Sequence, residues 1–492
     1  MAPSPLYFMI KNPIKSFLSA SITGGAVWYA YDYSRTADLM RYNCKRAQFY
    51  GDQKLKNPNA QVRHITVILN PVAGNRKAKT VYSKWVEPLL HLAGIKVSLI
   101  ETQSLKQVHD LMKVMSNCDG VAIVGGDETV HEALNGLVCR QDCARVAKNL
   151  PIAIIPAGLH NSIARYIYQH HTDYRNRTEF AIKSTSQLVD AVTTKFDVLK
   201  IIPINREEPR DQAKATETIY ALRDLRYGLY QDDYLKLTGI SIYQNYIKPA
   251  WMKIQRTFRR DKYPVPSIEA ISYTEPCSGC SRCYNKHRLI DSIPSGTDEK
   301  STRRSWWGSL LTTSQPKYPA EEAEIKRQKE IAARDNPNCG KWIEWSSSEE
   351  VTDFRAATTG DGQIRLSIGK GREMKPSESF EVQDVRLRVL KELDDKAIEA
   401  TQNEFIQKEA DRDGPVSSEM SQDGTPAMDS AKSVKNEEET ANNQKDVKGL
   451  LIDRKISPIR SLEVTTIREA ITIFTGIPRQ IVGDNPFAFG RK

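Results

Sequence analysis

The sequence predicts an α/β protein, with an N-terminal open α/β domain followed by a mostly β domain that carries insertions. Three observations predict it. From Gln61 onward, short apolar runs alternate with amphipathic stretches, the rhythm of parallel strands joined by crossover helices. Three of those runs end in glycine together with Asn or Asp, at the strand ends where open α/β sheets bind ligands. After about Phe196 the runs stay short and β-type, without regular helices between them.

Bulk properties bound the reading. At roughly 150 residues per domain, 492 residues hold two or three domains. A hydrophobic fraction of 39%, a charged fraction of 27% and a mean hydropathy of −0.52 exclude a multi-span membrane protein and a wholly disordered chain. The net charge of +10 favours anionic partners: lipid, nucleotide phosphate or nucleic acid. Nucleic acid has charge alone behind it and is not expected as a partner. Eight cysteines are too sparse for a disulfide framework.

Residues 1–60 read as a membrane-associated targeting leader. No acidic residue precedes Asp32, Lys11 and Lys15 are basic, and Phe17 to Tyr31 is uncharged. At about 1.5 Å per residue that stretch is short against a hydrocarbon core of about 30 Å. A secretory signal and an ordinary buried helix are the competing readings.

The α/β domain is expected over 61–195. Ile65 to Leu69 reads as a strand, Lys77 to Ala93 as a helix, Lys96 to Glu101 as a strand and Ser104 to Met115 as a helix. Gly120 to Val124 is a strand leading into a helix from about Thr129 to Val146, and Ile152 to Ile155 is a strand ending at Pro156. The β domain, 196–492, is read from Ile219 to Leu222, Ile268 to Tyr273, Ile364 to Ile368, Val385 to Leu390 and a closing strand at Leu462 to Phe474. A cysteine-rich, basic insertion occupies 274–338. No aromatic residue lies between Ile406 and Ile473, and 409–448 is too polar to offset its ordering entropy, so a disordered loop is expected there.

The three glycine-bearing junctions are Asn70-Pro71-Val72-Ala73-Gly74-Asn75, Val124-Gly125-Gly126-Asp127-Glu128-Thr129 and Pro156-Ala157-Gly158-Leu159-His160-Asn161. Glycine lets a backbone approach a ligand closely, and amides at a helix start, with Arg76, Lys77 and Lys79, can hold phosphate. Asp127 can cap a helix or orient a water-bound magnesium ion. Each loop taken alone also reads as an ordinary turn, the third with Asn161 as N-cap.

With these loops in this order, the chain resembles the diacylglycerol kinase catalytic-domain superfamily, which includes sphingosine, ceramide and acylglycerol kinases. The family pattern N-P-x-x-G, G-G-D-G-T and P-x-G-T-x-N is matched by Asn70 to Gly74, Gly125 to Thr129 and Pro156 to Asn161, and the likeness runs from about Gln61 to Lys200. The stretches Ala47 to Gln53 and Asn57 to Val62, after a short apolar segment, are similar to the acylglycerol kinase members.

The resemblance implies a nucleotide-binding first domain and a lipid-binding second domain, with ATP and Mg2+ as cofactors. It implies phosphorylation of monoacylglycerol and diacylglycerol to lysophosphatidic and phosphatidic acid, with ceramide or sphingosine as alternative substrates. Asn70, Pro71, Gly74, Gly125, Gly126, Asp127, Thr129, Gly158 and Asn161 then hold the nucleotide, and Asp127 the magnesium, through water. The family's catalytic aspartate lies in the second domain. Arg226 to Asp232 resembles that segment, which makes Asp232 the candidate general base. Asp233 is the alternative by one position, and an exposed acidic turn is the other reading. A mitochondrial inner-membrane location on the intermembrane-space side follows from the same resemblance. So does a second class of role, as a kinase-independent subunit of the inner-membrane carrier translocase.

Two positions depart from the family. Glu128 stands where it has Gly, and Leu159 where it often has Thr. A carboxylate there would repel phosphate, and a non-glycine resists left-handed backbone angles, so Glu128 is the feature that favours the non-catalytic role. A soluble NAD kinase also uses a G-G-D-G loop, but the N-P-x-x-G loop and the apolar leader argue against one.

Two further segments carry chemistry. Cys277, Cys280, Cys283 and His287 offer four zinc ligands within one short stretch; metal, disulfide and free thiols are all open readings. Arg303 to Leu311, with Trp306 and Trp307, combines cations, aromatics and leucines as a membrane-surface segment would, or packs as a helix on the body.

Overall fold

The structure, a computed structural model, describes residues 13–52, 62–168, 176–204, 218–228, 268–277, 279–284, 286–288, 330, 333–345, 351–370, 378–389, 450–453, 455–457, 459 and 461–475. Asp232, Asp233, Arg303 to Leu311 and the 409–448 segment lie outside the described residues.

Four parallel strands build the first half: β1 (His64–Leu69), β2 (Lys96–Glu101), β3 (Gly120–Gly125) and β4 (Ile152–Pro156), in the order β2-β1-β3-β4. β3 and β4 are buried along their whole length because helices cover both faces. Alternation sorts their side chains. Val67, Leu69, Ala122, Val124, Ala153 and Ile155 face one layer of helices, whereas Ile68, Val121, Ile123, Ile152 and Ile154 face the other.

The first layer holds α2 (residues 78–92) and α7 (Arg177–Asp190). α2 is α-helical at Ala78–Val81, opens into a π turn at Tyr82–Val86 and is α-helical again at Glu87–Leu92. The wide turn leads into Pro88, which has no amide to donate and whose ring would strike the carbonyl one turn back. The second layer holds α3 (Leu105–Val114), α4 (Asp127–Val138) and α5 (Cys143–Asn149). The single helix expected from Thr129 to Val146 is thus two. Arg140 sits at the break, donating to the Met112 and Met115 carbonyls at 3.1 and 2.9 Å and to Asp142 at 2.9 Å.

Preceding them is α1 (Pro13–Gly51), a helix of 39 residues. Its C-terminal half packs on the folded body. Ala47 is buried with Leu89 and Ile182, Arg35 pairs with the fully buried Glu179 at 3.1 Å, and Arg46 pairs with Asp190. Earlier in α1, Val27, Trp28, Tyr29 and Tyr31 are exposed. No helix among the described residues is long and apolar enough to cross a membrane.

The second half is antiparallel and is joined to the first through one strand. β16 (Ser461–Phe474) pairs in parallel with β4 at Ile473 and Ile152, along its length with β5 (Thr193–Pro203), and at its start with β13 (Asp384–Val389). The sheet therefore continues from β4 through β16 and β13 to β8 (Ile268–Thr274) and β9 (Trp342–Trp345), with β6 (Ile219–Ala221) on β5. A second sheet runs β12-β11-β10-β7-β14-β15, from Glu378–Val382, Ile364–Lys370, Val351–Thr358, Asp224–Gly228, Leu450–Ile452 and Lys455–Ser457. Between the sheets Leu199, Ile201, Val385 and Val464 meet Leu225, Phe354, Leu366 and Ile368 in one core.

Candidate active site

The ends of β1, β3 and β4 point the same way, and the three glycine-bearing loops that follow them form one hydrogen-bonded cluster. The Asn70 amide donates to the Val124 carbonyl at 3.1 Å, and the Asn70 Nδ2 donates to Thr129 Oγ1 at 3.0 Å. The Ala157 and Gly158 amides both reach the Gly125 carbonyl, at 2.9 and 3.0 Å, and the Asp127 amide donates to the His160 carbonyl. Gly74 completes the ring, since a Cβ added there would lie against the Ala157 carbonyl oxygen, while Arg177 Nη1 donates to the Gly74 carbonyl at 3.5 Å.

Glycine serves loop-to-loop contact here. A Cβ on Gly158 would collide with the Gly126 Cα, and one on Gly126 would stand 3.1 Å from the His160 carbonyl oxygen. In the first loop Gly74, Asn75 and Arg76 take φ of 64°, 59° and 61° in succession. That left-handed run turns the chain out of β1 and leaves Asn75, Arg76 and Lys77 on the surface. Asn161 closes its own loop, with the Gly158 amide donating to Oδ1 and Nδ2 donating to the Gly158 carbonyl. Pro71 begins the first loop, half-buried, and Thr129 is buried under it.

Asp127 is occupied by protein. Only 3% exposed, it accepts the Ser162 amide and hydroxyl on Oδ2 at 2.9 and 2.7 Å and the Ile163 amide on Oδ1 at 2.9 Å. It thereby caps α6 (Ser162–Ile167), a helix that follows β4, not the one it begins. The donor set fits a buried helix cap. Glu128 lies in the first turn of α4 with ordinary helical geometry, and its side chain is exposed. The glycine-to-glutamate departure therefore carries no backbone strain, and an acidic side chain suits a helix N-terminus.

α4 also ties the loop cluster to the β half. Asn135 accepts the Tyr220 amide at 2.8 Å and donates to the Tyr220 carbonyl at 3.0 Å; His131 Nδ1 lies 3.7 Å from Asp453 Oδ2, and Glu132 pairs with Lys455. Asp453, at the turn between β14 and β15, accepts the Leu222, Arg223 and Asp224 amides. Asp224 in turn meets Arg223, Arg226 and Arg355. Burial opposes its ionisation, but the three guanidiniums outweigh burial and hold its carboxyl below the usual range. The sequence places His131 and Glu132 only inside the helix expected from about Thr129, and gives no signal for Asn135, Asp224 and Asp453. Their partners are too distant in sequence to give a local signal.

The cysteines gather elsewhere, with one change of partner. The Sγ atoms of Cys277, Cys280, Cys283 and Cys339 all lie within 4.8 Å of one another. His287 is not the fourth member. Its Nδ1 donates to the Thr466 carbonyl at 2.7 Å, and burial lowers its pKa, so the imidazole anchors β16.

Residues 64–201 match the family described as the diacylglycerol kinase catalytic domain. Human mitochondrial acylglycerol kinase is 32% identical over 258 residues, taking in 52% of this chain and 56% of that protein. The Xenopus laevis acylglycerol kinase is 30% identical over 239 residues, 48% and 51% of the two chains. Human sphingosine kinase 2 is 32% identical over 108 residues, 22% of this chain and 16% of that protein. The chain spans about half the length of the curated acylglycerol kinases it matches. Loops, strand order and similarity agree: residues 64–201 are similar to the diacylglycerol kinase catalytic domain.

Proposed function

We propose that the protein is an ATP-dependent lipid kinase that phosphorylates monoacylglycerol and diacylglycerol. The observation that carries this reading is the joining of the three loops at the strand ends, with Asn75, Arg76 and Lys77 exposed beside them. The ATP phosphates would rest on the first loop, where surface cations offset their charge, and against the second and third loops. ATP supplies the terminal phosphoryl group. Asp232, outside the described residues, is the candidate base that would take the proton from the attacking lipid hydroxyl.

The acylglycerol preference is supported by extent of similarity, since the match to acylglycerol kinase is more than twice as long as that to sphingosine kinase 2. Glu128 is helical and solvent-facing, which removes the backbone-strain argument for a non-catalytic role. The exposed Val27, Trp28, Tyr29 and Tyr31 of α1 supply an apolar, aromatic surface for a membrane. A mitochondrial inner-membrane site on the intermembrane-space side is the location we propose, by likeness to the mitochondrial relatives.

The test is phosphate transfer from labelled ATP by the full chain in mixed micelles offering monoacylglycerol, diacylglycerol, sphingosine or ceramide. Labelled lysophosphatidic and phosphatidic acid are expected, and Asp232→Asn should abolish both. Transfer only to sphingosine or ceramide, or none to any lipid, would overturn the proposal.

A further inference from the structure

We propose that Cys277, Cys280, Cys283 and Cys339 bind one Zn2+ ion as a closed tetrathiolate site that clamps the base of the β8–β9 ribbon. β8 ends at Thr274 and β9 begins at Trp342, opposite it in the ladder. Cys277 to Cys283 lie just after β8 and Cys339 just before β9, so an ion held by all four joins positions far apart in sequence, where the connection between the strands begins and ends. A metal clip across a long loop gains most because the open chain has most freedom to lose.

The geometry is that of a site needing little adjustment. Tetrahedral zinc with Zn–S bonds of about 2.3 Å requires its sulfurs about 3.8 Å apart. Cys280 and Cys283 already stand at 3.7 Å, and no pair exceeds 4.8 Å. So tight a cage takes one ion rather than an iron–sulfur cluster. An all-sulfur tetrahedral donor set is the one zinc selects.

Packing gives an independent reason. Cys277, Cys280 and Cys283 are 2%, 0% and 6% exposed, yet among the described residues the cluster they form has only Cys339 as a further hydrophobic member. Four thiols bury too little apolar surface to hold two distant segments together. N–H groups also aim at the sulfurs: the Cys280 amide donates to Cys283 Sγ at 3.3 Å and Asn336 Nδ2 to Cys277 Sγ at 3.4 Å. Such donors stabilise metal-bound thiolates and orient them. On binding, each thiol yields its proton to solvent and the ion takes four thiolates, leaving a complex of charge −2.

The experiment is elemental analysis of the full chain, prepared in zinc-containing medium without chelator, together with intact mass and thiol counting. One zinc per chain is expected. Since outer-shell changes alone cost about 10–100-fold in metal affinity, Cys339→Ser and Cys277→Ser should lower retained zinc at least tenfold. Cys118→Ser and His287→Ala should retain it, and Cys339→His should restore a Cys3His site. If the serine variants do not fold, Co2+ titration of the metal-free wild type replaces them; it should give tetrahedral thiolate-to-cobalt absorption that saturates at one equivalent. Zinc-free protein with every thiol titratable, a mass deficit from disulfides, iron in place of zinc, loss of zinc in His287→Ala with retention in Cys339→Ser, or no cobalt spectrum would each overturn the assignment.

Discussion

Asp127 begins one helix and caps another: its carboxylate receives both the amide and the hydroxyl of Ser162. The acid of the glycine loop thereby locks the second loop to the third, because α6 cannot shift without breaking charge-assisted bonds in a buried setting. Asp127→Asn keeps the shape but weakens or reverses three such bonds. We expect a loss of about 2–4 kcal/mol in denaturant unfolding. At temperatures where the variant stays folded, the Mg2+ concentration giving half-maximal activity should be unchanged. A shift in that concentration without loss of stability would instead mark Asp127 as a metal ligand.

Gly126 and Gly158 make a second, purely steric lock. Gly158→Ala would drive a methyl group into the Gly126 backbone, which has no flexible end to yield, whereas Gly126→Ala meets its neighbours at 3.1 and 3.2 Å. Overpacking of this kind costs about 1–3 kcal/mol, so Gly158→Ala should destabilise more than Gly126→Ala. Comparing the two denaturation midpoints, with ATP affinity measured on each, checks the order. Equal effects would mean that the loops part easily.

Much of this was legible because parallel strands buried on both faces read as unbroken apolar runs, and β1, β3 and β4 lie within a residue of their expected limits. β10 was missed because Asp353 and Arg355 alternate with its buried residues and dilute the apolar run. The helix break at Arg140 was hidden because the carbonyls it holds lie at and just beyond the end of α3. Among the site residues, the loop motifs were visible as local patterns, but the direction of Asp127 was not, since Ser162 lies on the far side of a strand. Cys339 escaped for a similar reason: spacing near the other cysteines favoured His287, and only the β8–β9 pairing brings Cys339 back to them.

Asn135 is one of the polar contacts through which the loop-bearing helix grips the β half. Asn135→Ala would leave the Tyr220 amide and carbonyl without the partner that now satisfies both. Leaving such groups unpaired costs about 1–3 kcal/mol, and Asn135→Asp should recover only the bond from the Tyr220 amide. Hydrogen exchange across β6 should quicken in the alanine variant. Unchanged protection there would show that the two halves are held together by other contacts.

Asp224 gives stability its acid limb. In the unfolded chain an aspartate titrates near about pH 3.9, while Arg223, Arg226 and Arg355 hold the folded carboxyl lower. The folded state therefore binds fewer protons, and its stabilisation is full above the unfolded pKa and fades as pH falls through the folded one. Asp224→Asn removes the charge and leaves three guanidiniums around a neutral group. Breaking a buried ion pair from one side costs about 3–5 kcal/mol, which is the deficit expected near neutral pH. The gap between variant and wild type should narrow steadily as pH falls below about 4, where the unfolded wild-type chain takes up a proton at Asp224 that the folded chain still refuses. Urea unfolding of both proteins between neutral and acid pH measures it, and a gap that stays constant with pH would show that the arginines do not act through the Asp224 charge.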